Sequence, residues 1–385
     1  MRRIVIVVLA VVGIAIFGLY IKSTKPQQIT QPLKKLTNAL QRNSPKESTT
    51  SATVFAQNLQ VPWAIAWLPN GNMLVTERPG TVIEIDKNGK SKNIFKVPDV
   101  KPEGEGGLHG IALHPKFAQN NYVYLYYTYS PNPTQNKVVR YKYQNGTLVQ
   151  DKVILEKIPG SIFHNGGRIK FGPDGYLYIT TGDAQNPSLA QDKNSLGGKI
   201  LRITDEGKSA PGNPFGNEVY SYGHRNPQGI FWDNNGTLWE TEHGPSGIGS
   251  SCCRDEVNII KPGQNYGWPD ITGSQTKNGM EAPFATSGPT NTWAPADIIV
   301  LDGKVYFSGL RGTAIFTFDP NNPADVKPIL KGEYGRIREL IVGPDGNIYF
   351  STSNRDDRGI PSGNDDKIIK LSPQTLSPQT LQTQP

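Results

Sequence analysis

The chain has 385 residues, of which 36% are hydrophobic, and it contains 41 glycines and 31 prolines. This length is ample for a large core, and so many turn-forming residues favour many short strands over long helices. The net charge of +7 is modest and is spread along the chain with no basic run interleaved with aromatic residues, which argues against a nucleic-acid partner and favours a small acidic ligand.

Residues 1–22 are predicted to direct export. Arg2 and Arg3 precede an apolar run from Ile4 to Tyr20, and Lys22 follows it. The run is longer than a typical cleaved signal and no small-residue cleavage site follows it. We therefore expect a membrane anchor rather than a signal peptide, with an internal helix as the remaining alternative. Either export segment places the rest of the chain in the periplasm or another extracytoplasmic space.

Two further segments flank the bulk of the chain. Residues 23–52 are rich in Gln, Ser, Thr, Lys and Pro, a composition that is typical of a flexible linker. Residues 372–385 consist mainly of Leu, Ser, Pro, Gln and Thr and are predicted to form a disordered tail.

Between these segments, a strand, a turn and a second strand recur six times. The copies are Ala64 to Glu77, Gly110 to Thr128, Arg168 to Asp183, Gly229 to Glu242, Asp297 to Gly309 and Glu339 to Ser353. Their turns are about 55 residues apart, a period that is typical of a β-propeller with one four-stranded sheet per blade. We predict an all-β, six-bladed β-propeller of antiparallel sheets over residues 53–371. A β-sandwich, the alternative, does not require six copies at this spacing.

The histidines are the first candidates for chemistry. None of the five pairs with another at helical ligand spacing, and no Ser-His-acid set is discernible; they are His109, His114, His164, His224 and His243. His164 precedes Gly166, Gly167 and Arg168 in a loop that is predicted to bring an imidazole and a cation to one place. A neutral imidazole can accept a proton from an alcohol. We predict a functional role for His164 and structural roles for His109, His114 and His224.

The segment YGHRNPQG and the residues that follow the next hairpin suggest a binding site. Arg225 and Asn226 supply a fork of donors and an amide, which suit an anionic, planar ligand. Gly244 and Pro245 present backbone carbonyls, which suit a hard cation such as Ca²⁺. A tight turn at each place is the alternative interpretation.

Three arginines and two cysteines are the remaining candidates for functional residues. Arg311 lies in SGLRG, and Arg336 and Arg338 alternate so that both lie on one face of a strand, where they repel each other unless an anion lies between them or water screens them. Cys252 and Cys253 are adjacent, so they form a vicinal disulfide or stay as a free pair. Their spacing excludes a zinc or iron–sulfur site.

Seven motifs in order give the chain a family resemblance. Between Phe55 and Leu371 it resembles the soluble quinoprotein glucose/sorbosone dehydrogenases, which use pyrroloquinoline quinone (PQQ), and within them the aldose sugar dehydrogenases. The motifs are VPWAIAWLPNG, GEGGLHGIALHPKF, HNGGRIKFGPDG, LGGKILRI, GHRNPQG, DEVNIIKPGQNYGWP and GRIREL.

The resemblance implies a six-bladed propeller, monomeric or homodimeric, that binds PQQ with Ca²⁺ at the mouth of its channel. It implies that His164 is the general base and that Arg225 lies near the reactive quinone carbonyl. The cofactor-binding residues that it implies are Glu105, Arg225, Asn226, Arg311, Arg336 and Arg338. For metal, it implies that Gly244 and Pro245 hold the cofactor's Ca²⁺ and that Glu256 and Tyr266 hold a structural Ca²⁺.

The chain departs from soluble glucose dehydrogenase at three places. Glu105 stands in place of a glutamine beside the substrate and the quinone, which changes the local charge. Phe163 replaces an acidic residue before the base, which leaves open what orients His164. An insertion, GIGSSCCR, precedes Asp255 and alters the neighbouring loop.

The sequence thus leads to two functions. In the favoured one, an aldose is oxidised at its anomeric C1 hydroxyl to a lactone by hydride transfer to PQQ. The alternative is a non-catalytic propeller that binds a ligand and has lost the cofactor, since fold does not fix function. The joint presence of the histidine, the arginines and the Gly-Pro carbonyl pair favours the enzyme. The sequence does not identify the preferred sugar or the electron acceptor.

Overall fold

A computed structural model describes residues 52–130, 132–245 and 252–376. The predicted anchor, nearly all of the predicted linker and residues 377–385 lie outside these ranges. Across the three described ranges, no helix has the length and apolar character needed to cross a membrane.

The described residues form 24 strands, which hydrogen-bond in six four-stranded sheets. In chain order the strands are β1 (Ala52–Ala56), β2 (Pro62–Trp67), β3 (Met73–Glu77), β4 (Thr81–Ile85), β5 (Ser91–Lys96), β6 (Leu108–Leu113), β7 (Tyr122–Tyr129), β8 (Gln135–Gln144), β9 (Thr147–Pro159), β10 (Ile169–Phe171), β11 (Leu177–Thr181), β12 (Lys199–Ile203), β13 (Val219–Tyr222), β14 (Pro227–Trp232), β15 (Leu238–Glu242), β16 (Glu256–Ile260), β17 (Ala285–Thr286), β18 (Pro295–Leu301), β19 (Lys304–Gly309), β20 (Ala314–Phe318), β21 (Lys327–Ile329), β22 (Ile337–Val342), β23 (Ile348–Thr352) and β24 (Ile368–Leu371). The short helices are α1 (Phe117–Asn120), α2 (Ser188–Gln191) and a 3-10 helix at Pro373–Leu376.

Each sheet is one blade of a propeller. Blades 1 to 5 are β2–β5, β6–β9, β10–β13, β14–β17 and β18–β21, and blade 6 joins β22, β23 and β24 to β1. The pairings within the blades are antiparallel. The predicted six-bladed, all-β propeller is therefore confirmed, and each of the six predicted hairpins corresponds to the first two strands of a blade.

The first strand closes the ring. In β1, Ala52 pairs with Leu371 and Val54 pairs with Ile369, so the start of the domain supplies the fourth strand of the last blade. Ala52, the last residue of the predicted linker, is thus the first residue of the propeller. This closure leaves the sixth sheet without an open edge beside β24.

The tail prediction was wrong for its first residues. Pro373–Leu376 is a 3-10 helix, and Leu376 is buried among the residues that pack blade 5 against blade 6. Because burial of this leucine removes apolar surface from water, it anchors the chain just beyond β24. The rest of the predicted tail lies outside the described residues.

The core is divided among the spaces between blades. Six clusters of buried apolar side chains each join one blade to the next around the ring. Leu74 and Leu125, for example, join blades 1 and 2, and Ile65 and Ile368 join blades 1 and 6. A blade is therefore covered on both faces, which explains why every residue of β11 is buried.

Hydroxyl groups near the ends of the second strands connect successive blades. Ser308 of blade 5 donates a hydrogen bond to the carbonyl oxygen of Arg338 in blade 6, at 2.6 Å. Ser351 of blade 6 donates to the carbonyl oxygen of Pro62 in blade 1, at 2.9 Å. The Thr and Ser residues that recur in the sequence repeat thus satisfy buried carbonyls across the blade boundaries.

Arg168 lies at the centre of the ring, and the expectation that it acts beside His164 was wrong. Its guanidinium donates to the carbonyl oxygens of Gln228 in blade 4 and Ala296 in blade 5, and to the carboxylate of Glu339 in blade 6. The group also lies over the ring of Trp63, 4.5 Å from its centroid. These donors and this stacking are satisfied within the fold, so Arg168 is a structural cation.

Candidate active site

A single cavity of about 450 Å³ gathers eight of the predicted site residues. They are Glu105, His164, Arg225, Asn226, Pro245, Arg311, Arg336 and Arg338. The other three, Gly244, Glu256 and Tyr266, line a smaller adjoining pocket that shares Arg225 and Pro245 with the cavity. Loops that end different blades therefore meet at one place, as the repeat pattern predicts.

His164 lies in the loop between β9 and β10, and its backbone is fixed from two sides. Its N–H donates to Oε2 of Glu105, at 3.1 Å. Its carbonyl packs against Gly182, where an added Cβ would lie 1.9 Å from the carbonyl oxygen. A glycine is therefore required at position 182 for the loop to approach β11 this closely.

The group that orients the imidazole is Asp183. Nδ1 of His164 lies 2.7 Å from Oδ1 of Asp183, whose side chain is fully buried. The second carboxylate oxygen accepts a hydrogen bond from Nε1 of Trp268, at 2.8 Å. Because a carboxylate can only accept, the proton of a neutral imidazole is on Nδ1, and Nε2 is the ring's proton acceptor.

Asp183 was not among the residues predicted from the sequence, which left open what orients His164. The signal was present in the hairpin: β10 and β11 pair Ile169 with Ile179, and continuing this register places residue 183 beside residue 165. Phe163 occupies the position where the family has an acid. The guanidinium carbon of Arg358 lies over its phenyl ring, 5.1 Å from the ring centroid.

The charge of Glu105 is balanced by Arg358, another residue that the sequence reasoning missed. Nη1 of Arg358 donates to Oε1 of Glu105, at 2.7 Å. Burial raises the pKa of Glu105, but His243, Arg358 and the N–H of His164 outweigh it and leave this pKa below the usual value for a glutamic acid. The carboxylate that replaces the family's glutamine is thus held in place by a cation.

An anion does lie between the two neighbouring arginines, as their spacing requires. Oδ2 of Asp356 accepts from Nη2 of Arg336 at 2.8 Å and from Nη2 of Arg338 at 3.4 Å. Burial alone raises the pKa of Asp356, but Arg338 and Arg336 lower it below its usual value. Burial in turn lowers the pKa of Arg338 to about 10. One carboxylate therefore balances only part of the positive charge.

The cavity contains more cations than anions. Its arginines are Arg78, Arg225, Arg311, Arg336, Arg338 and Arg358, and its carboxylates are Glu105, Asp255 and Asp356. Nε of Arg225 and Nδ2 of Asn226 are buried with no hydrogen-bond partner among the described residues. Arg311 is exposed and forms no ion pair with any described residue. Unpaired donors and excess positive charge fit a ligand that has carboxylates and carbonyl oxygens, such as PQQ.

The Gly244–Pro245 segment is held by a buried aspartate. The N–H of Gly244 donates to Oδ1 of Asp255 at 2.9 Å, and Oδ2 of Asp255 accepts from the N–H of Trp293 at 2.7 Å. An added Cβ at Gly244 would lie 2.0 Å from the carbonyl oxygen of Cys253. The backbone here is thus fixed closely enough to present its carbonyls to a cation.

The inserted loop also reaches the cavity. Cys252 and Cys253 are joined by a disulfide, and Cys252 lines the cavity wall. Of the two alternatives that the sequence leaves open, the structure contains the vicinal disulfide. Residues 247–251 of the insertion lie outside the described ranges.

Glu256 and Tyr266 line the smaller pocket without a contact between their side chains. Oε1 of Glu256 accepts from the N–H of Gly273, at 2.7 Å. The hydroxyl of Tyr266 donates to the carbonyl of Ile259 at 2.6 Å and accepts from the N–H of Lys261 at 2.8 Å. The phenol thus both donates and accepts a hydrogen bond within the chain. Their role as calcium ligands stays a prediction.

Three of the other histidines have structural contacts. Burial lowers the pKa of His109 to about 3, and its ring stacks on Trp63. His114 contacts Asp205 at 3.3 Å, and His224 contacts the hydroxyl of Ser221 at 2.9 Å. These contacts agree with the structural roles that we predict for all three.

His243 was given no separate role from the sequence, yet it lines the cavity. Burial lowers its pKa to about 4, so the ring is neutral at neutral pH. Its carbonyl oxygen accepts a hydrogen bond from Nη1 of Arg225, at 3.1 Å. His243 therefore helps to orient the guanidinium that the cavity presents.

Comparison with known proteins relates the whole propeller to sugar dehydrogenases. Residues 59–360 match the family model described as glucose/sorbosone dehydrogenase. The aldose sugar dehydrogenase YliI of Escherichia coli is 32% identical over 364 residues, which cover 85% of this chain and 94% of the relative. Quinoprotein glucose dehydrogenase B of Acinetobacter calcoaceticus is 33% identical over 262 residues, 59% of this chain and 54% of the relative.

A solved structure is similar over the same region. The PQQ-bound form of the aldose sugar dehydrogenase from Streptomyces coelicolor superposes with a TM-score of 0.77 and 41% sequence identity. The likeness covers 84% of this chain and 98% of that protein. These matches span the blades and loops that form the cavity.

Proposed function

Because the chain belongs to the glucose/sorbosone dehydrogenase family, we propose that it is a PQQ-dependent aldose sugar dehydrogenase that oxidises the anomeric C1 hydroxyl to a lactone. One observation carries the proposal: an imidazole oriented by a buried carboxylate shares a cavity with unpaired cationic donors. A ligand-binding propeller needs the donors but has no use for an oriented proton acceptor.

The cofactor is assigned to the part of the cavity with excess positive charge. Arg311, Arg336 and Arg338 would pair with its carboxylates, and Arg225 and Asn226 would donate to its quinone oxygens. A Ca²⁺ ion would be held by the carbonyls of Gly244 and Pro245 together with the cofactor. When bound, PQQ supplies the hydride acceptor, a function that no amino-acid side chain can perform.

The chain's own residues would handle the proton. Nε2 of His164 takes the proton of the anomeric hydroxyl as the hydride leaves C1, and the carboxylate of Asp183 stabilises the imidazolium that forms. Asp183 also keeps Nδ1 protonated beforehand, so that Nε2 is available as the acceptor. Arg225, whose Nε has no partner in the described chain, would donate to a quinone oxygen of the bound cofactor and so favour negative charge there.

The proposal is tested by reconstituting purified protein with PQQ and Ca²⁺ and following dye reduction with a panel of aldoses. Methyl glycosides of the same sugars are the matched controls, because they lack a free anomeric hydroxyl. We expect dye reduction and lactone formation with aldoses only. Absence of both PQQ binding and turnover of any aldose would instead support the alternative, a non-catalytic propeller that has lost the cofactor.

We also propose that the enzyme is tethered to the membrane by its N-terminus. Arg2, Arg3 and the apolar run from Ile4 to Tyr20 support an N-terminal membrane tether with the propeller outside the cytoplasm. Cell fractionation with N-terminal sequencing tests this: the intact N-terminus should stay with the membrane fraction. A soluble species that begins after residue 22 would contradict the tether.

Light scattering of the purified protein distinguishes a monomer from a homodimer.

A further inference from the structure

A group of acidic and amide side chains lies on one face of blade 4, and two of its members, Glu242 and Glu256, also line the smaller pocket beside the cavity. In the pairing of β15 with β16, Glu240 is opposite Asn258 and Glu242 is opposite Glu256. Because side chains alternate along a strand, these four lie on the same face of the sheet. All four are buried, and they face the side of blade 3.

His224, from the connection between β13 and β14, completes the group. His224, Glu240 and Glu242 each offer a ligand atom, and these atoms all lie within 4.8 Å of one another. Nδ1 of His224 is 3.5 Å from Oε1 of Glu242. Two oxygens on opposite sides of a calcium ion are about 4.6–5.2 Å apart, since each bond measures about 2.3–2.6 Å. The spacing therefore matches a single cation.

Several atoms of this group have no hydrogen-bond partner. Oε1 of Glu240, Oδ1 of Asn258 and Nδ1 of His224 are buried and unpaired among the described residues. Asn258 Nδ2 faces three carboxylates instead, at 3.0 Å from Glu240, 3.3 Å from Glu242 and 3.5 Å from Glu256. An amide nitrogen has only two protons for these three acceptors. The hydrogen bonding of the group is thus incomplete.

The charge of the group is also uncompensated. In the described ranges, no lysine or arginine forms an ion pair with Glu240, Glu242 or Glu256. Buried carboxylates that repel each other need either protons or a cation between them.

We propose that Glu240, Glu242, Asn258 and His224 form a divalent-cation site between blades 3 and 4, distinct from the carbonyl pair of Gly244 and Pro245. The carboxylates and the amide oxygen suit Ca²⁺, and the imidazole also admits Mn²⁺ or Zn²⁺. On binding, the amide of Asn258 turns so that Oδ1 replaces Nδ2 among the carboxylates. The cation neutralises the charge and occupies the unpaired atoms.

The site would support the cavity from behind. Oε2 of Glu242 accepts a hydrogen bond from the backbone N–H of Arg225, at 2.7 Å. A cation that fixes Glu242 therefore also fixes the loop that presents Arg225. The inference does not depend on the proposed sugar chemistry, because a propeller with no enzymatic activity could contain the same site.

The test counts metal ions per chain in the full-length protein, purified in detergent and stripped with a chelator. Ca²⁺, Mn²⁺ and Zn²⁺ are added back one at a time, with and without PQQ, and bound metal is measured by mass spectrometry. Glu240→Gln keeps the size of the side chain and removes one charge. Glu333→Gln, at an exposed position, is the matched control.

We expect Glu240→Gln to bind one equivalent less of the preferred metal than the wild type, with or without PQQ, and Glu333→Gln to match the wild type. The metal-induced rise in Tm should shrink in Glu240→Gln alone. Wild-type stoichiometry in Glu240→Gln would overturn the proposal and identify the group as a set of carboxylates that share protons.

A second variant decides the question if Glu240→Gln does not fold. Asn258→Asp adds a third carboxylate to the proposed ligands, and this variant should bind the metal about ten-fold more tightly, because affinity rises with ligand charge. Its Tm should therefore fall below the wild-type value in chelator and recover when the metal is added. A Tm that is low and indifferent to all three metals would contradict a cation site.

Discussion

The buried carboxylate of Asp183 contacts Nδ1 of His164 at 2.7 Å, at the point where the loop after β11 passes beneath the cavity. Its other oxygen is held by Trp268, and its backbone N–H donates to the carbonyl of Arg225, at 2.8 Å. One residue thus orients the imidazole and connects it to the segment with the donors. The distance, the burial and the second partner all indicate a fixed tautomer.

Asp183→Asn should lower turnover by at least about two orders of magnitude without unfolding the protein. The amide is the size of the carboxylate and can donate to Nδ1, which would move the imidazole proton to Nε2 and block proton acceptance. The cofactor should bind nearly as before, because Asp183 does not line the cavity. The measurements are kcat with saturating PQQ and the affinity for PQQ.

A second histidine–aspartate pair provides the control for this experiment. Asp205 contacts His114 at 3.3 Å, and its side chain is partly exposed. Asp205→Asn makes the same chemical change away from the cavity and should leave kcat unchanged. Equal activity in Asp183→Asn and Asp205→Asn would show that Asp183 has no part in positioning the base.

Removal of the proposed base, His164, is tested by the same two measurements, kcat with saturating PQQ and the affinity for PQQ. His164→Gln should reduce kcat by about two to four orders of magnitude while PQQ binding is retained, because the arginines and backbone carbonyls hold the cofactor. His114→Gln serves as the control. If His164→Gln turns over at the wild-type rate when saturated with PQQ, the base is another group, and Glu105 is the next candidate.

Arg338 is expected to affect binding rather than chemistry. Arg338→Ala removes a buried guanidinium that contacts Asp356, Ser353 and Gln228. A charge-assisted contact with a carboxylate contributes about 1.5–3 kcal/mol, so the Kd for PQQ should rise by about 10- to 150-fold. Titration of the protein with PQQ measures this shift. Activity per loaded protein should stay near the wild-type value.

The control for Arg338→Ala is Arg202→Ala, since Arg202 pairs with Asp174 in blade 3, outside the cavity. Its affinity for PQQ should match the wild type. A Kd for PQQ that is unchanged in Arg338→Ala would assign this arginine to the fold alone.

Much of this architecture could be predicted from the sequence because a repeat makes the same local pattern visible six times. Each copy places a turn between two strands that are rich in β-branched and aromatic residues, so errors in one copy are corrected by the others. The closing strand β1 does not belong to any hairpin, and its residues Thr53 and Val54 resemble the linker before them. Only the pairing with β24 distinguishes it.

Site residues that lie in sequence motifs could be predicted. Their partners from distant loops could not. Asp356 and Arg358 lie in NRDDRG, a charged stretch that in sequence resembles any solvated turn. Their roles arise from contacts with Arg336 and Glu105, residues from other loops of the cavity. The prediction for Arg168 was wrong for the opposite reason. Arg168 follows His164 closely in sequence, but its position just before β10 directs the side chain into the centre of the ring.

The lowered pKa of Glu105, which burial opposes and which His243 and Arg358 favour, predicts a pH effect on stability. The pKa of Glu105 lies below its usual value in the folded protein, so its contribution is complete above about pH 4.3, the ordinary value, and is lost as pH falls through the lowered pKa. Glu105→Gln should therefore lose less stability on acidification than the wild type. Because the side chain of Arg358 is half exposed, the difference should not exceed about 1 kcal/mol. Denaturant unfolding at neutral pH and near pH 3 measures it, and parallel curves for the two proteins would contradict the assignment.

The buried cation at the centre of the ring should matter most for stability. Arg168→Met removes donors to three blades and leaves Glu339 buried without its partner, which should cost about 3–5 kcal/mol of unfolding free energy. Lys261→Met, which breaks an exposed ion pair with Glu281, should cost less than about 1 kcal/mol. Adding Glu339→Gln to Arg168→Met should restore part of the loss, because the amide carries no charge and can still accept from the N–H of Ile65. Denaturant unfolding of the three variants tests this. If Arg168→Met is no less stable than Lys261→Met, the central arginine does not connect the blades, and the packing between blades is sufficient to close the ring.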